Sequence, residues 1–552
     1  MRKGSSGGRS DGEEMKPVLG AGSTQDAPVL RPIIAEYDPR RGVKTDLADV
    51  VLVKFQGGRN TSGIPEYDNG VVKPLVDAEM GSNDPGVPGE PYNPFKHRKL
   101  DHPTNDVDTL IHLLKGSLGT GILAMPLAFK NSGLAFGMVA TFLIGFICTY
   151  CVHILVKCAH NLCHRTRTPA LGYAEVAETA FLCGPRKLQK FSGVAKATIN
   201  LFLVVDLLGC CCVYVVFVAE NIKQVVDFNT SHNYDVRIYM AMLLVPCIFL
   251  SWVRNLKHLA PFSMLANLLI ATGMAISFYY IFTELPSPSD RPQFSSLHQL
   301  PLFFGTAIFA LEGIGVVMPL ENNMKTPSHF IGCPGVLNIG MFIVVTLYSG
   351  FGFFGYLKYG DDTLGSITLN LPTVDILAQS VKVMIAVAIF LTYGLQFYVP
   401  MEIIWKSVAP RFPNRPLVAE YIIRTILVVT TIATAAALPN LGPFISLVGA
   451  VCLSTLGLMF PAIIEVVTFW EEDEDKSIAC CSGDNEESGS GTVIPKAKDV
   501  KTEIPVTPSC RVFSVRACRL VKNTLIVLFG ILGFVTGTIT SIEEIVQSLG
   551  KK

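Results

Sequence analysis

An all-α integral membrane protein of eleven spanning helices is the fold that the 552-residue sequence predicts, and three observations carry it. Half of the residues are hydrophobic and only 16% are charged, too apolar a balance for a soluble globular chain. Apolar runs of about 20 residues recur along it, the length that crosses a hydrocarbon core about 30 Å thick. Two of these runs are interrupted by glycine and proline at matching places, which predicts two five-helix repeats of opposite orientation followed by one extra helix. Formal net charge is zero, so nothing in the overall balance points to a nucleic-acid partner.

The first 105 residues have a different composition, rich in Gly, Pro, Asp, Asn and basic residues without a sustained apolar period. Such a segment buries too little surface to offset chain entropy, so residues 1–105 are expected to form a disordered tail. VVLVKF at 50–55 is at most a short local strand. The opening MRKGSSGGRS lacks an apolar h-region, so no cleavable signal peptide is expected and the first span serves as the insertion signal.

Hydrophobic runs place the spans at roughly 108–131, 134–158, 193–220, 236–254, 259–283, 301–321, 335–357, 375–402, 418–437, 442–470 and 523–547. This divides the chain into a ten-helix core over 106–470, a loop over 471–521 and an eleventh helix over 522–547. Lys and Arg gather before the first span (Lys96, Arg98, Lys99) and in the loops that carry Arg165, Arg167, Arg186, Lys187 and Lys190, then Arg254 and Lys257, then Lys406, Arg411 and Arg415. The alternate loops at 221–235, 284–300, 358–374 and 438–442 are poor in both. Positive-inside bias puts the N-terminus and the basic loops in the cytoplasm, and the odd count leaves the C-terminus outside. Asn229 of Asn229-Thr230-Ser231 then falls in an external loop as a glycan acceptor, whereas Asn60 stays on the cytoplasmic side. The 471–521 loop opens acidic at EEDED, passes through a Ser/Gly-rich stretch and ends basic, the composition of a disordered segment.

The 15 cysteines fall in spans or in loops assigned to the cytoplasm, which argues against a structural disulfide. HNLCH at 160–164 has metal-ligand spacing, but no second ligand pair follows at zinc-site distance, so it reads as a solvated loop. Cys480, Cys481, Cys510 and Cys518 are candidates for palmitoylation.

The chemistry is carried by the two interruptions. GTGILAMP (119–126) in the first span and GIGVVMP (313–319) in the sixth share two glycines around one residue, then short apolar residues and Met-Pro. Backbone amides and carbonyls inside a membrane must be paired, so unwinding is tolerated only where it lines a cavity or meets a ligand. Glycine permits the unwound dihedrals and proline removes a helical donor. Exposed helix N-terminal amides suit a carboxylate, and unwound carbonyls suit an ammonium. Glycines in spans also serve close helix packing, and for the first stretch alone that reading is equally open.

Four segments carry a family resemblance: TLIHLLKGSLGTGILAMPLAFKNSG (109–133), FALEGIGVVMPLENNMKTP (309–327), GSITLNLP (365–372) and LTYGLQFYVPMEI (391–403). Together they resemble the proton-coupled amino acid transporters, a branch of the amino acid/auxin permease family, and among these the insect members. The resemblance implies eleven spans on a leucine-transporter-type core of five plus five inverted helices. It also implies cotransport of small neutral amino acids such as glycine, alanine and proline with protons, at the plasma membrane or in lysosomal and late endosomal membranes. The family's first-span histidine falls on His112, one turn before Gly116 and on the same helix face. A histidine responds to pH near neutrality, as proton coupling requires.

Lys115 and Glu312 are the other charges beside the breaks, and Glu312 is a candidate either for proton coupling or for bracing the unwound segment. Two features depart from the family. The external disulfide of vertebrate members has no counterpart, since the loops after spans three and seven lack cysteine. Asp206 is an acid in mid-span where the family pattern has none, a candidate second titrating site or a group facing a polar cavity.

The expected mechanism is alternating access around one site. The substrate carboxylate meets the amides of Gly116, Ser117, Leu118, Gly119, Thr120 and Gly121, its amine meets carbonyls of Phe309, Ala310 and Glu312, and Gly313 limits side-chain size. His112, Glu312 and Asp206 are the proton-coupling candidates. The partners are small neutral amino acids, protons and the bilayer; no cofactor beyond the proton is called for. A sodium-coupled carrier would use the same carbonyls, and an amino-acid-sensing receptor would bind without flux. No nucleophile–base or metal set recurs near the breaks, so an enzyme is not expected.

Overall fold

The computed structural model describes residues 93–98, 100, 103–117, 119–254, 256–311, 313–470 and 508–550, the side chains of 256–261, 508–515 and 549 excepted. The expectations for 50–55, Asn60, Leu118, Glu312, Cys480 and Cys481, and the side chain of Cys510, lie outside the described residues.

The described residues are helical, with one isolated bridge between Thr104 and Met324. The first span is a bent pair, α1 (Asp106–Ser117) and α2 (Thr120–Ser132), with 54° between the two axes. Next come α3 (Leu134–Thr166), α4 (Tyr173–Leu182), α5 (Ser192–Thr230), α6 (Val236–Ser251) and α7 (Leu256–Phe282). The second interrupted span is α8 (Leu300–Leu311) and α9 (Ile314–Asn322). It is followed by α10 (Val336–Tyr359), the short α11 (Ile367–Asn370), α12 (Ile376–Val408) and α13 (Pro416–Ala437). The tenth run is α14 (Leu441–Val448), a π-helix over Gly449–Met459 and α15 (Phe460–Thr468), and α16 (Pro508–Gly550) comes last.

Nine helices among the described residues are long and apolar enough to cross a membrane, and the bent pair makes a tenth span. The remaining apolar helix, α6, has 16 residues and is about 24 Å long at 1.5 Å per residue, short of a full hydrocarbon core.

Helix α2 is the centre of the bundle: 11 of its 13 residues are buried. It packs against α8 and α10 through small residues. A Cβ on Gly352 would sit 2.4 Å from the Phe129 ring and one on Gly355 2.5 Å from the Pro126 ring, so the α10 backbone lies directly against α2 side chains. Helix α8 approaches the tenth run in the same way, with a Cβ on Gly305 falling 2.5 Å from the Ser446 carbonyl oxygen. The wide π-helix begins there, next to α5 and α16, and such segments are frequent at functional sites.

Three expectations are corrected first. The tail is not disordered as far as residue 105: Pro94–His97 forms a 3-10 turn, the Arg98 side chain is buried, and Thr104 pairs with the segment after α9. The composition of 93–105 is that of a free chain, but its few side chains have long-range partners. The loop between the second and third spans contains α4, whose Tyr173, Ala174, Val176, Ala177 and Ala180 are buried. HNLCH is no loop but the last part of α3, where His160 bonds Glu321 through Nε2 at 2.8 Å.

Asn229 is exposed but lies in the final turn of α5, its amide donating to the Val225 carbonyl (2.7 Å) and to Gln379 Oε1 (2.9 Å). Helix α5 outlasts its apolar run because Lys223 and Asp227 pair one turn apart and the Asn221 amide bonds back to Phe217. At the other end of the chain, α16 begins at Pro508, inside the segment read as loop. Cys518 is exposed.

Candidate substrate site at the two helix breaks

The two Met-Pro motifs occupy equivalent places, each opening the second half of an interrupted span just after its break. Gly119 (φ −137°, ψ −149°) and Gly313 (φ −131°, ψ 16°) both leave helical geometry, and each caps the half-helix that follows. A helix start leaves its first amides without intrahelical acceptors, and a helix end leaves its last carbonyls without donors. Helix α2 therefore offers amides from Thr120 onward, and α8 offers carbonyls up to Leu311.

The fold brings these ends together. A Cβ on Gly121 would lie 2.7 Å from Ala310 Cα, one on Gly116 would lie 3.3 Å from Val316 Cγ2, and one on Gly313 would lie 3.7 Å from Ser117 Oγ. Of the expected contacts, Gly116, Ser117, Gly121, Ala310 and Gly313 are thus gathered at one place. Gly121 and Ala310 are pressed against each other, so their role there is close approach of the two halves. Thr120, Gly121, Phe309 and Ala310 are buried, Ser117, Gly119 and Gly313 half-buried, and Gly116 exposed.

The proton-coupling candidates are placed differently from one another. His112 is exposed and has no hydrogen-bond partner among the described residues; Lys115 is half-buried. Asp206 is 8% exposed, and its Oδ1 has no partner among the described residues. It lies about one turn along α5 from Leu203, whose Cδ2 is 4.0 Å from a Cβ position on Gly315. His153, read as a packing residue, bonds Asn338 Oδ1 through Nε2 at 2.7 Å.

One site residue escaped the sequence reading. Tyr348 of α10 is fully buried and donates its hydroxyl to the Ser117 carbonyl at 2.5 Å, satisfying one acceptor freed by the first break. A tyrosine in an apolar run looks like core, and only its distant partner marks it. Tyr348→Phe is expected to cost about 1–3 kcal/mol, the penalty for stranding a buried carbonyl. Unfolding of the purified protein in detergent would check it, and a change below about 0.5 kcal/mol, the scatter of ordinary surface substitutions, would mean that another donor reaches Ser117.

Comparison with known proteins places these features in a family. The pattern of the family described as transmembrane amino acid transporter protein matches residues 102–482, which include both breaks. The proton-coupled amino acid transporter-like protein pathetic of Drosophila melanogaster is 46% identical over 402 residues, covering 73% of this chain and 85% of that protein. The amino acid transporter AVT3A of Arabidopsis thaliana is 25% identical over 487 residues, covering 86% of this chain and 99% of that protein. The chain belongs to the transmembrane amino acid transporter family, with an insect proton-coupled transporter-like protein among its relatives, and is a multi-pass membrane transporter rather than an enzyme.

Proposed function

We propose that this protein is a secondary active transporter that couples the movement of small neutral amino acids, of the alanine, glycine and proline class, to a proton gradient by alternating access. The observation that carries the proposal is the meeting of the two breaks. The amide end of α2 and the carbonyl end of α8 abut at Gly121 and Ala310, so groups complementary to a carboxylate and to an ammonium stand side by side. In this reading spans 1–5 and 6–10 form two halves of opposite orientation. A Cβ at Gly313 or Gly315 would meet nothing closer than 3.7 Å, so the preference for a short substrate side chain rests on the family resemblance and not on crowding at these glycines.

Burial about the breaks is uneven. Gly116, Gly315, Val316 and His112 are exposed, while α2 on the other side is almost wholly buried. A carrier in one of its end states has this asymmetry. His112 is exposed at the surface of α1, and Asp206 is a buried acid near the second break. Intramembrane ionisable groups of this kind mark ion pathways by default. Charge bias of the loops orients the N-terminus to the cytoplasm, in the plasma membrane or a lysosomal or late endosomal one. A glycan at Asn229 would have to displace the bond to Gln379.

Alanine-evoked current in voltage-clamped cells, with external pH and sodium varied independently, tests the reading. Current that grows on acidification and persists without sodium is the expected result; a requirement for sodium would overturn the coupling. His112→Ala and Asp206→Asn then identify the acceptor, since loss of the pH dependence should follow one of them. Saturable binding without tracer flux for any amino acid would overturn transport itself.

A further inference from the structure

At the end of the bundle opposite His112, a lysine is buried without an acid. Lys382 of α12 is 0% exposed, and its ammonium donates to Gln224 Oε1 of α5 at 2.6 Å. Gln224 is its one partner among the described residues. The Gln224 amide passes the link on, donating to the Leu369 carbonyl of α11 at 3.2 Å. Three residues earlier on α12, Gln379 accepts from Asn229 of α5 (2.9 Å) and donates to the Thr373 carbonyl (2.7 Å). Two parallel amide relays therefore tie α5, α12 and the 367–373 segment together. Helix α11 rests on α2, with a Cβ on Gly355 meeting both Pro126 and Ile367. This assembly packs against α2 at Pro126, about two turns beyond the first break.

A buried cation is expensive unless well paired, and a single neutral amide is a poor substitute for water. The surroundings supply a route to water: a cavity of about 550 Å³, lined in part by Gln224, Asp227, His232 and Thr373, opens directly over the relay. The neighbouring Lys223 is already engaged by Asp227 and Asn233. Separation of α5 from α12 would hydrate Lys382, whereas closure strips it again.

We propose that Lys382 is a positioning residue for transport: its buried charge opposes closure over the breaks, and its bond to Gln224 offsets that cost, so the pair sets the balance between closed and open. The proposal rests on the alternating-access reading, and its test is read without substrate. A cysteine at Thr368, which is buried on α11, reports opening through its reaction with a membrane-impermeant maleimide applied from outside, with the chain lacking that cysteine as background.

Lys382→Met removes the charge at similar length and is expected to slow labelling about tenfold. Lys382→Gln keeps a donor to Gln224 and should act in the same direction. Gln224→Met strands the charge and is expected to speed labelling severalfold, and the double variant should label as slowly as Lys382→Met, because the amide then has no charge to offset. The Michaelis constant for external alanine should rise in Lys382→Met and fall in Gln224→Met, a split that mere loss of folded protein does not produce. Equal labelling in Lys382→Met and parent, or slower labelling in both single variants, would overturn the proposal. If Gln224→Met folds poorly, the two Lys382 variants decide alone. Labelling that shifts as expected in a chain carrying no alanine flux would overturn the transport reading and leave the seal standing.

Discussion

Glu321→Ala is expected to lower stability by about 3–5 kcal/mol, the usual penalty for stranding one member of a buried charge pair. The side chains of Arg98 and Glu321 are 3% and 0% exposed, so solvent does not screen their attraction. The guanidinium uses its fork fully: Nη2 donates to both Glu321 carboxylate oxygens (3.1 and 3.3 Å), Nη1 to the Glu321 carbonyl (3.0 Å) and Nε to the Pro169 carbonyl (2.7 Å). His160 Nε2 adds a contact to the same carboxylate at 2.8 Å, and the Phe95 ring packs beneath Arg98 and against His160. A lysine at 98 cannot reproduce this planar set of donors, so Arg98→Lys should lose most of the contribution as well. The double change Arg98→Met with Glu321→Leu removes both charges and should recover much of the loss. Unfolding of the purified protein in detergent gives all three values. A Glu321→Ala variant within about 1 kcal/mol of the parent, the worth of an exposed pair, would mean that water reaches this cluster.

That cluster shows where sequence reasoning stops. Arg98 sits in a polar stretch that resembles a free tail, and its partner is 223 residues away. Periodicity carries no information about such a pair. Lys382 and Tyr348 lie in apolar runs and Gln224 in a stretch read as loop, and each acquires its meaning from a partner on another helix. The breaks were legible because a half-helix start inside a membrane needs special backbone, and glycine and proline advertise it in one dimension. Spacing also put His112 on the Gly116 face, but it could not say whether that face was buried, and both residues are exposed. Asp206 was visible as a lone acid; its unpartnered oxygen became visible only when α5 was set among its neighbours. The ends of α5 and α16 were misplaced because amphipathic helix continues beyond the apolar run that defines a span.

Three glycines at the first break should respond to alanine in a fixed order, with Gly121→Ala by far the most damaging. A Cβ at Gly121 would lie 2.7 Å from the Ala310 Cα and 3.1 Å from its Cβ. Carbon atoms in contact prefer about 3.5–4.0 Å, and backbone does not rotate away, so α2 and α8 must separate by about 1 Å. Overpacking of this kind costs about 1–3 kcal/mol. The same displacement pulls the amide end of α2 from the carbonyl end of α8, so flux should fall further than stability. At Gly116 the new Cβ meets Val316 Cγ2 at 3.3 Å, a side chain with room to turn, and the effect should be mild. At Gly119 nothing lies within 4 Å and φ is negative, so alanine is expected to be tolerated. Flux and unfolding midpoints for the three variants separate two roles that glycine can have at a break. Damage at 121 alone means that close approach of the half-helices builds the site. Equal damage at 119 would mean that backbone freedom at the unwound residues matters more, and the contact between Gly121 and Ala310 would lose its place in the mechanism.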